Sequence, residues 1–535
     1  MFLMRFFLDI SLFWFIILFV SIVENCITMR KRGIMETSIL TRLNRTAEQY
    51  ADKKMFSDPE SSITFAQFND YTKAIGTYIA KTVPQGSPVV VMSGRHVMTP
   101  ACYLGVVRAG CFYGPMDADM PTARLNQILS VIKADYMLVD KAHVEVASSL
   151  DFNGTIIVLE DIIDTQPDAQ LLAEREASLI CTSPLYVIFT SGSTGVPKGV
   201  ITSHQSLMCY IDAVTKVLNI NDTDIMGNQS PLDYIAAIRD IYLPISTGAS
   251  TFIIPKNEFA VPTLLFETLN REKITALCWS VAGVELPAKL GAFDVMKPEY
   301  LQKLCFSGSV MPCKYLKIWQ ENLPDVLYVN QYGPTEATAS CTYYVVKEKV
   351  DDDTVLPIGT PYDNYKILLL NDDNQPVKQG ETAEICVSGP ILALGYYGNA
   401  DYTEKAFIQN PLNPNYRELI YKTGDLGSFR EDGVLEFHGR KDRQIKHMGH
   451  RIELGEIEET AKKIEGVLDC CSLYNKPKEH LYLFYTGPAT SKEIVLYFRK
   501  NLPAFMSPRK LVNLEALPTL PNGKLDMQTL KTYFK

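Results

Sequence analysis

The sequence predicts an α/β protein with packed, mainly parallel sheets. Short β-branched runs such as PVVVM at Pro88–Met92 alternate with amphipathic stretches such as Leu125–Ile132. Apolar runs of this length are typical of strands buried on both faces, and helical crossovers connect such strands in parallel. Further strands are predicted at Tyr136–Val139, Thr155–Leu159 and Thr251–Ile254, and a further helix at Thr263–Asn270. Ligand-binding loops are therefore expected at the carboxyl ends of the strands.

The chain is long enough for several structural units. Its 535 residues are 47% hydrophobic, which permits large buried cores and roughly two to four units. Short strands with frequent glycine predict a compact β-rich subdomain from about Thr354 to Phe437. After Gly439 a charged strand passes into a helix and a small α+β unit follows. Because exposed charged linkers are usual domain boundaries, we predict a large domain at residues 35–441 and a small one at 442–535.

Charge and composition exclude some classes of function. A net charge of −9 and a pI near 5.5 argue against nucleic-acid binding, and no basic run with interleaved aromatics occurs. The 12 cysteines lack CxxC spacing, which favours reduced thiols in the cytoplasm. The seven histidines form no HExxH pattern, so a bound zinc is not expected.

An apolar run at Ile10–Val23 stands apart from the rest of the chain. It is shorter than the ~20 residues of a full membrane span, and suits a signal sequence or a short anchor. No small-x-small cleavage pattern follows it. If it inserted, the basic triplet at 30–32 would keep the body of the protein cytoplasmic. We favour a third interpretation, in which the folded body begins near Met35 and residues 1–34 are an over-extended reading frame; membrane contact is expected only if they are retained.

A phosphate-binding loop is predicted within YVIFTSGSTGVPKGV at Tyr186–Val200. A buried apolar run ends there in small and hydroxylated residues, which let backbone N–H groups approach anionic oxygens. Lys198 adds a positive charge, but Gly199 follows it, so the pattern is not a Walker loop. The predicted phosphate-binding residues are Thr190, Ser191, Gly192, Ser193, Thr194 and Lys198.

Further motifs follow this loop along the chain. They are NQYGPTEAT at Asn330–Thr338, YKTGDL at Tyr421–Leu426, GRKDRQIKHMGHRIELGEIE at Gly439–Glu458 and LPNGKLD at Leu520–Asp526. In this order they resemble the motifs of the adenylate-forming superfamily, which comprises acyl-CoA synthetases, nonribosomal peptide synthetase adenylation domains and D-alanyl carrier protein ligases. The resemblance extends from about residue 60 to the C-terminus, and the segment after Met35 resembles the superfamily's opening helix.

The resemblance implies a nucleotide site around the turn YGPTE. An aromatic ring such as Tyr332 can stack on a purine, which contributes on the order of 1 kcal/mol. The carboxylate of Glu336 can hold Mg²⁺ against phosphates, because Mg²⁺ prefers hard oxygen ligands. Gly333 and Thr335 of the same turn are expected to contact the nucleotide. The expected cofactors are therefore ATP and Mg²⁺.

Three charged residues of the later motifs complete the implied nucleotide site. The resemblance implies that Asp425 binds the ribose hydroxyls and that Arg440 lies near the ribose and the phosphate. Arg451 is expected near the nucleotide phosphate or the arm of a carrier.

The same resemblance implies a mobile C-terminal domain that serves two steps. Asp442 is expected at the hinge, Gly449 where a thiol-bearing arm passes close to the backbone, and Lys524 in the site during adenylation. When a carboxylate attacks the α-phosphate, negative charge builds on the transferring oxygens, and a fixed lysine with Mg²⁺ stabilises it. Lys524, Glu336 and Arg440 are the predicted catalytic residues.

The implied reaction joins a small carboxylic acid to a thiol at the expense of ATP. An acyl-adenylate and pyrophosphate form first, and the acyl group then passes to a thiol. We expect an amino-acid or aryl-acid ligase that loads a separate phosphopantetheinyl carrier protein, because the chain contains no carrier segment. A CoA ligase for a small aromatic or other acid is the alternative. A non-catalytic binding protein that retains the fold is a third possibility.

The identity of the acid depends on the segment SPLDYIAAIRDIYLPISTGAS at Ser230–Ser250. Amino-acid-activating relatives carry an Asp for the substrate ammonium in a motif FDxSV, and an ungapped comparison puts Ile235 in its place. Because an unpaired buried ammonium is costly, either Asp233 or Asp240 substitutes, or the substrate has no α-amino group. Arg239 falls where a pocket wall is expected, and it is either a partner for an acidic or hydroxyl-bearing substrate or a solvent-facing helix residue. Asp233, Ile235, Arg239 and Ser307 are the predicted substrate-pocket residues.

Overall fold

The computed structural model describes residues 36–192, 195–520 and 525–534. The strands in chain order are β1 (Lys54–Ser57), β2 (Ser62–Thr64), β3 (Pro88–Met92), β4 (Phe112–Met116), β5 (Tyr136–Val139), β6 (Thr155–Val158), β7 (Pro184–Thr190), β8 (Lys198–Ser203), β9 (Ile225–Asn228), β10 (Ser250–Ile253), β11 (Ala276–Ser280), β12 (Lys303–Ser307), β13 (Leu327–Tyr332), β14 (Thr342–Val345), β15 (Thr360–Pro361), β16 (Lys366–Leu370), β17 (Ala383–Ser388), β18 (Gly395–Tyr396), β19 (Phe407–Gln409), β20 (Leu419–Phe429), β21 (Leu435–Arg440), β22 (Gln444–His447), β23 (His450–Glu453), β24 (Asp469–Asn475), β25 (His480–Thr486) and β26 (Lys510–Asn513).

Helices separate most of these strands, as parallel crossovers require. In chain order they are α1 (Ile39–Gln49), α2 (Phe65–Thr82), α3 (Thr99–Arg108), α4 (Thr122–Ile132), α5 (Val144–Ser148), α6 (Leu159–Ile162), α7 (Ala169–Ala177), α8 (His204–Leu218), α9 (Ile238–Thr247), α10 (Pro262–Arg271), α11 (Val281–Lys289), α12 (Cys313–Asn322), α13 (Ala400–Ala406), α14 (Leu454–Ala461), α15 (Ser491–Asn501) and α16 (Met527–Lys531).

Two large mixed sheets confirm the predicted α/β class. The first has nine strands in the order β15-β14-β13-β12-β11-β9-β10-β1-β2, and the second has seven in the order β18-β8-β7-β4-β3-β5-β6. The pairs from β13 across to β1 are parallel, as are those from β7 across to β6. Antiparallel strands close both edges of the nine-stranded sheet and the β18 edge of the seven-stranded sheet, whose other edge is the parallel strand β6. The carboxyl ends of β9, β11, β12 and β13 consequently lie along one edge of the nine-stranded sheet.

One large core joins buried side chains of both large sheets, and separate clusters cover other faces of each sheet. Tyr113 of β4 illustrates the packing, because its ring stacks on Tyr103 at 4.3 Å between centroids and its hydroxyl meets that of Tyr242 at 2.8 Å. Buried tyrosines of this kind need a partner for the hydroxyl group. Capping residues fix where some of the helices that cover the sheets begin. Thr64 and Gln67, for example, form a capping box at the start of α2.

The predicted β-rich segment forms an antiparallel sheet. Its order is β16-β17-β20-β19, with β21 paired to β20, so all five strands lie between Lys366 and Arg440. The short strand β18 within this range instead joins β8 at the edge of the seven-stranded sheet. This pairing ties the smaller sheet to the larger one.

The C-terminal part of the chain forms a hairpin and a small α+β unit. Strands β22 and β23 pair with His447 opposite His450, so that Met448 and Gly449 make a two-residue turn. Both turn residues have positive φ, 52° and 82°, which is the backbone of a type I′ hairpin turn and explains the glycine. Strands β24, β25 and β26 form a separate three-stranded sheet on which α14 and α15 pack. The domain boundary at Asp442 stays a prediction.

The elements expected from sequence agree closely with these bounds. The strands predicted at Pro88–Met92 and Tyr136–Val139 have the predicted limits, and the helix expected after Met35 is α1. The strand predicted at Thr155–Leu159 ends one residue earlier, because Leu159 begins α6. The strand predicted at Thr251–Ile254 is shifted by one residue. The apolar pattern of a strand can extend into the first residue of the following helix or loop. The sequence pattern alone therefore does not fix the last residue of a strand.

The apolar run Ile10–Val23 and the rest of residues 1–34 lie outside the described residues. Within the ranges that the structure describes, no helix has the length and apolar content needed to cross a bilayer.

A buried histidine predicts a specific acid sensitivity of the fold. His204 is fully buried at the start of α8, and its Nδ1 accepts a hydrogen bond from the Ile39 amide at 3.3 Å. Burial lowers the pKa of this ring from its ordinary value of 6.5 to about 4. The neutral ring therefore stabilises the fold above pH 6.5, and this contribution is lost as the pH falls towards 4, since only the unfolded chain binds the proton.

We expect this residue to account for about 1 kcal/mol of the free energy of unfolding per pH unit between pH 6 and pH 4.5. Urea unfolding of the wild type and of His204→Gln across this range measures the difference in slope. Equal slopes in the two proteins would contradict the assignment.

Candidate active site

A cavity lies between the carboxyl ends of the parallel strands and the β22–β23 hairpin. Strand ends supply Ser280 and Ser307, the turn after β13 supplies Gly333 and Thr335, and the hairpin supplies Gly449. A second, wider cavity continues from it, and the two share Asp425, Arg440, Gln444, Lys446 and Met448 among their lining residues. The motifs at Asn330–Thr338, Tyr421–Leu426 and Gly439–Glu458 thus converge on one place.

The predicted phosphate loop connects β7 to β8 beside this place. Thr190 pairs with Lys198 across the two strands, and the hydroxyl of Thr190 is buried without a hydrogen-bond partner. Gly192 is required by close packing, because a Cβ there would lie 1.9 Å from the carbonyl oxygen of Val196. Ser193 and Thr194 lie outside the described residues.

The C-terminal region covers the described part of this loop. The Ser191 hydroxyl donates to the carbonyl oxygen of Arg451 at 2.7 Å. Next to it, Glu456 of α14 accepts a hydrogen bond from Arg124 at 2.6 Å. Burial raises the pKa of Glu456, while Arg124 and the amide of Gly192 act in the opposite direction. An acidic side chain therefore lies next to a loop whose composition suits anions.

Lys198 contacts a tyrosine in this conformation. Its Nζ donates to the Tyr402 hydroxyl at 2.6 Å and lies 4.1 Å from the centre of that ring. Tyr402 belongs to α13, far from the loop in sequence, so this contact was not predicted.

Tyr332, Asp425 and Arg440 form a hydrogen-bonded row. The Tyr332 hydroxyl donates to Asp425 Oδ2 at 2.6 Å, and Arg440 Nη1 donates to the other oxygen. Asp425 and Arg440 are cross-strand partners on β20 and β21, which fixes their distance. Arg440 also donates to Asp442, the predicted hinge residue, at 2.7 and 2.8 Å. Burial opposes the charge of Arg440, but these two carboxylates hold its pKa above the ordinary range.

Glu336 is fully buried and lies at the centre of a second network. Both of its carboxylate oxygens accept from Arg451 Nη1 at 3.0 Å, and the Tyr396 hydroxyl donates to Oε1 at 2.6 Å. Burial favours the neutral acid, yet the charge of Arg451 and the Tyr396 hydroxyl lower the pKa of Glu336 below its ordinary value. The carboxylate is therefore ionised and paired with the hairpin.

The donor set around Glu336 fits a metal held partly by the substrate. No group of three His, Cys, Asp or Glu side chains close enough to bind a metal occurs in the described ranges. One carboxylate together with phosphate oxygens is a usual arrangement for Mg²⁺. Arg451 occupies both carboxylate oxygens here, so a metal at Glu336 requires the hairpin to move away.

The predicted substrate-pocket residues divide into two groups. Ile235, Arg239 and Ser307 line the cavity at the sheet edge. Asp233 is not among the described residues that line it, and burial together with the charge of Asp117 raises the Asp233 pKa to about 7. Asp240, the other candidate for an ammonium partner, directs Oδ2 to Asn228 Nδ2 at 2.7 Å. Lys524 lies outside the described residues.

Sequence reasoning missed two further side chains of the hairpin. Lys446 Nζ lies 5.5 Å from the centre of the Tyr332 ring, and burial lowers its pKa. His450 stacks on Phe505 at 3.8 Å between ring centres, and burial lowers its pKa to about 4. For Lys446 the available signal was its place opposite Arg451 across the hairpin, which puts both side chains on one face. His450 pairs with His447 on the other face, and no motif indicated its contact with Phe505.

Comparison with known proteins agrees with this geometry. The sequence profile described as AMP-binding enzyme matches residues 43–397. The D-alanine–D-alanyl carrier protein ligase of Bacillus cytotoxicus is 30% identical over 509 residues, which cover 92% of this chain and 98% of that protein. Tyrocidine synthase 1 of Brevibacillus parabrevis is 28% identical over 499 residues, 92% of this chain and 45% of that protein. The chain spans less than half the length of several curated relatives.

The solved structure of the amide bond synthetase McbA from Marinactinospora thermotolerans has the same fold. Its TM-score is 0.81 at 16% identity, with 92% of this chain and 99% of that chain covered. The fold and the site together define an adenylate-forming class of protein. The chain belongs to the family of AMP-binding enzymes, the AMP-forming ligases of the adenylate-forming superfamily.

The buried pair between Arg451 and Glu336 predicts a measurable anchor for the hairpin. Removal of one partner from such a pair leaves an uncompensated buried charge, at a cost of up to about 3–5 kcal/mol. We expect Arg451→Met to reduce hydrogen-exchange protection of the amides in residues 444–453. The double variant Glu336→Gln/Arg451→Met is expected to recover part of the protection, because no charge is left unpaired.

The exposed pair between Lys216 and Asp363 provides a matched control. Lys216→Met is expected to leave the hydrogen-exchange protection of residues 444–453 unchanged, because exposed ion pairs contribute little. Unchanged hairpin protection in Arg451→Met would contradict the anchor.

Proposed function

We propose that this protein activates a carboxylic acid with ATP and then transfers the acyl group to a thiol. The carboxylate attacks the α-phosphate, the bond to pyrophosphate breaks, and an acyl-adenylate forms. The thiol sulfur then attacks the acyl carbon and AMP leaves. The observation that carries the proposal is the adjacency of an acid pocket, at Ile235 and Ser307, to the nucleotide motifs at Gly333 and Asp425. A cytoplasmic location, where ATP is available, belongs to this proposal.

For the nucleotide, we assign roles by chemistry. Tyr332 offers an aromatic face for the purine, and Asp425 offers carboxylate oxygens to the ribose hydroxyls. Arg440 supplies a fixed cation next to them. Glu336 would hold Mg²⁺ together with phosphate oxygens, and the metal would neutralise developing charge. Thr190 and its loop would bind the phosphates, which is supported by the unpartnered Thr190 hydroxyl.

The docked hairpin supports the second step. The carbonyl oxygen of Gly449 accepts from the Tyr234 hydroxyl at 3.1 Å, and a Cβ at Gly449 would lie 3.1 Å from Ser280 Cβ. A glycine here leaves room for a thin arm to pass the backbone. Since Arg451 holds Glu336 at the same time, this arrangement suits thiol entry better than adenylation.

The wider cavity opens at a mouth that suits a phosphate-bearing thiol. Exposed lysines line the mouth, accompanied by Glu285 and Glu479; they are Lys289, Lys314, Lys476 and Lys478. Positive side chains of this kind attract phosphate groups, which both phosphopantetheine and coenzyme A carry.

A separate phosphopantetheinyl carrier protein is our preferred acceptor. A relative that the chain covers almost completely is named as a ligase of D-alanine to a carrier protein. CoA is the alternative acceptor, and it would enter by the same mouth. An amino acid or an aryl acid is the proposed substrate class. Ile235 counts against an amino acid, because it lines the pocket and cannot pair with a buried ammonium group.

Two substitutions should separate the two half-reactions. Lys524→Ala is expected to reduce ATP–pyrophosphate exchange by about 10²- to 10³-fold, because the transferring oxygens lose a fixed positive charge. Transfer from chemically prepared acyl-adenylate is expected to remain. Gly449→Val is expected to keep ATP–pyrophosphate exchange and to reduce acyl transfer to the thiol. The valine side chain would contact Ser280, and the backbone at φ 82° would be strained.

The measurements are exchange with a panel of acids, followed by product analysis with CoA and with a loaded carrier protein. Thermal unfolding of both variants controls for misfolding. Exchange that survives in Lys524→Ala would remove the assigned role of that lysine. Failure of ATP to bind, or its hydrolysis to ADP, would overturn the proposed function.

A further inference from the structure

We infer that the acid activated at this site carries a second carboxylate, which Arg239 binds at the far end of the pocket. The inference rests on the proposed activation of a carboxylic acid with ATP, and it departs from the amino-acid and aryl-acid classes proposed above. It commits to an acid without an α-ammonium group and with anionic groups at both ends.

Arg239 belongs to the first turn of α9 and is almost completely buried, with 1% of its surface exposed. Its Nη1 donates to Gln331 Oε1 at 2.8 Å and lies 3.4 Å from the Ser307 hydroxyl. Nε donates to the carbonyl oxygen of Ala236 at 3.4 Å. The guanidinium therefore lines the acid pocket and has neutral oxygen partners.

A buried guanidinium with no anionic partner is costly to keep. None of the ion pairs formed by the described residues includes Arg239. The neighbouring Asp240 acts on it through charge without direct contact, because its carboxylate bonds Asn228, and burial raises the Asp240 pKa to about 7. Burial favours loss of the Arg239 proton, but neighbouring groups hold its pKa above the ordinary range, so the charge persists. A ligand carboxylate would supply the missing charge.

The groups next to the guanidinium can also donate. Gln331 is 2% exposed, and its Nε2 is buried without any hydrogen-bond partner. The Ser307 hydroxyl can turn towards a ligand oxygen. Arg239 and Ser307 line the acid pocket, and Gln331, which is bonded to Arg239, lines the adjoining wider cavity. Donors grouped in this way match the acceptor-only chemistry of a carboxylate.

The rest of the pocket offers no free carboxylate to a substrate ammonium group. Ile235 and Ala236 form one wall, and the carboxylate among the described lining residues is Asp425, which already pairs with Tyr332 and Arg440. An amino acid would therefore have only neutral oxygens, such as those of Gln229 and Ser280, as partners for its ammonium. This combination favours a dicarboxylic acid over an amino acid.

A thiolate at Cys305 is the competing explanation for the charge of Arg239. The Cys305 sulfur lies 3.5 Å from Nη1. Burial works to raise the pKa of this thiol, but a hydrogen bond with Cys278 and the charge of Arg239 lower it. A permanent thiolate partner would leave Arg239 with no need for a ligand anion, and the experiment distinguishes the two.

The test begins with the wild-type protein and matched acids. ATP–pyrophosphate exchange is measured with straight-chain dicarboxylic acids of increasing length and with the monoamide of each. The monoamide keeps the shape and removes the second charge. We expect one dicarboxylic acid to exceed its monoamide by roughly 100-fold or more in kcat/KM, because the uncharged end leaves buried donors poorly paired.

Variants then assign the preference to the guanidinium. Arg239→Gln and Gln331→Glu are both expected to abolish the preference, the first by removing the charge and the second by supplying a competing carboxylate next to it. ATP affinity by calorimetry is expected to stay unchanged in both. Arg271→Gln, which removes an exposed arginine paired with Glu272, is the matched control and should keep the preference.

Each outcome decides a different statement. Exchange with monocarboxylic or amino acids but without preference for a dicarboxylic acid overturns the inference and leaves the proposed function intact. Exchange with no acid of either kind overturns the proposed function. A Cys305→Ala variant that gains the dicarboxylate preference absent from the wild type would assign the counter-ion to the thiolate and overturn the inference. If Arg239→Gln does not fold, Gln331→Glu and the wild-type comparison decide.

Discussion

The contact between Arg451 and Glu336 is the constraint on which the arrangement of the site depends. It joins the C-terminal hairpin to the turn after β13, and Tyr396 extends it to the edge of the seven-stranded sheet. A buried carboxylate and a buried guanidinium each require the other, so the hairpin has a defined resting place. The positions of Gly449 and of the Ser191 contact follow from this anchor.

Much of the site was predictable because its chemistry is local in the sequence. The loop after β7 and the row formed by Tyr332, Asp425 and Arg440 lie in short motifs whose residue types have few other uses together. Tyr332 lies at the carboxyl end of β13, where parallel strands place ligand-binding groups, whereas Asp425 and Arg440 come from the antiparallel pair β20 and β21. The expectation of a dense β-rich segment before the hairpin was met for the same reason, as glycine spacing marks short strands.

What could not be predicted depends on pairing between distant segments. Tyr396 bonds Glu336 across 60 residues, and Tyr402 meets Lys198 across 204. No sequence pattern in either segment predicts these partners, because tyrosine is common in protein cores and its hydroxyl can hydrogen-bond to many kinds of group. The surroundings of Arg239 are of the same kind: a pocket wall was one of two places expected for it, but its partners Ser307 and Gln331 depend on the register of two strands.

The covered loop between β7 and β8 has a kinetic consequence. Ser191 bonds the backbone of Arg451, and Glu456 lies beside Gly192, so docking of the hairpin puts an acidic side chain next to the loop. If that loop holds the leaving phosphates, as proposed, the docked hairpin would cover their place, because the Ser191 hydroxyl then bonds the backbone of Arg451. Pyrophosphate must then leave before the thiol acceptor binds. The proposed catalytic cycle is therefore ordered, because the first product and the second substrate require different positions of the hairpin.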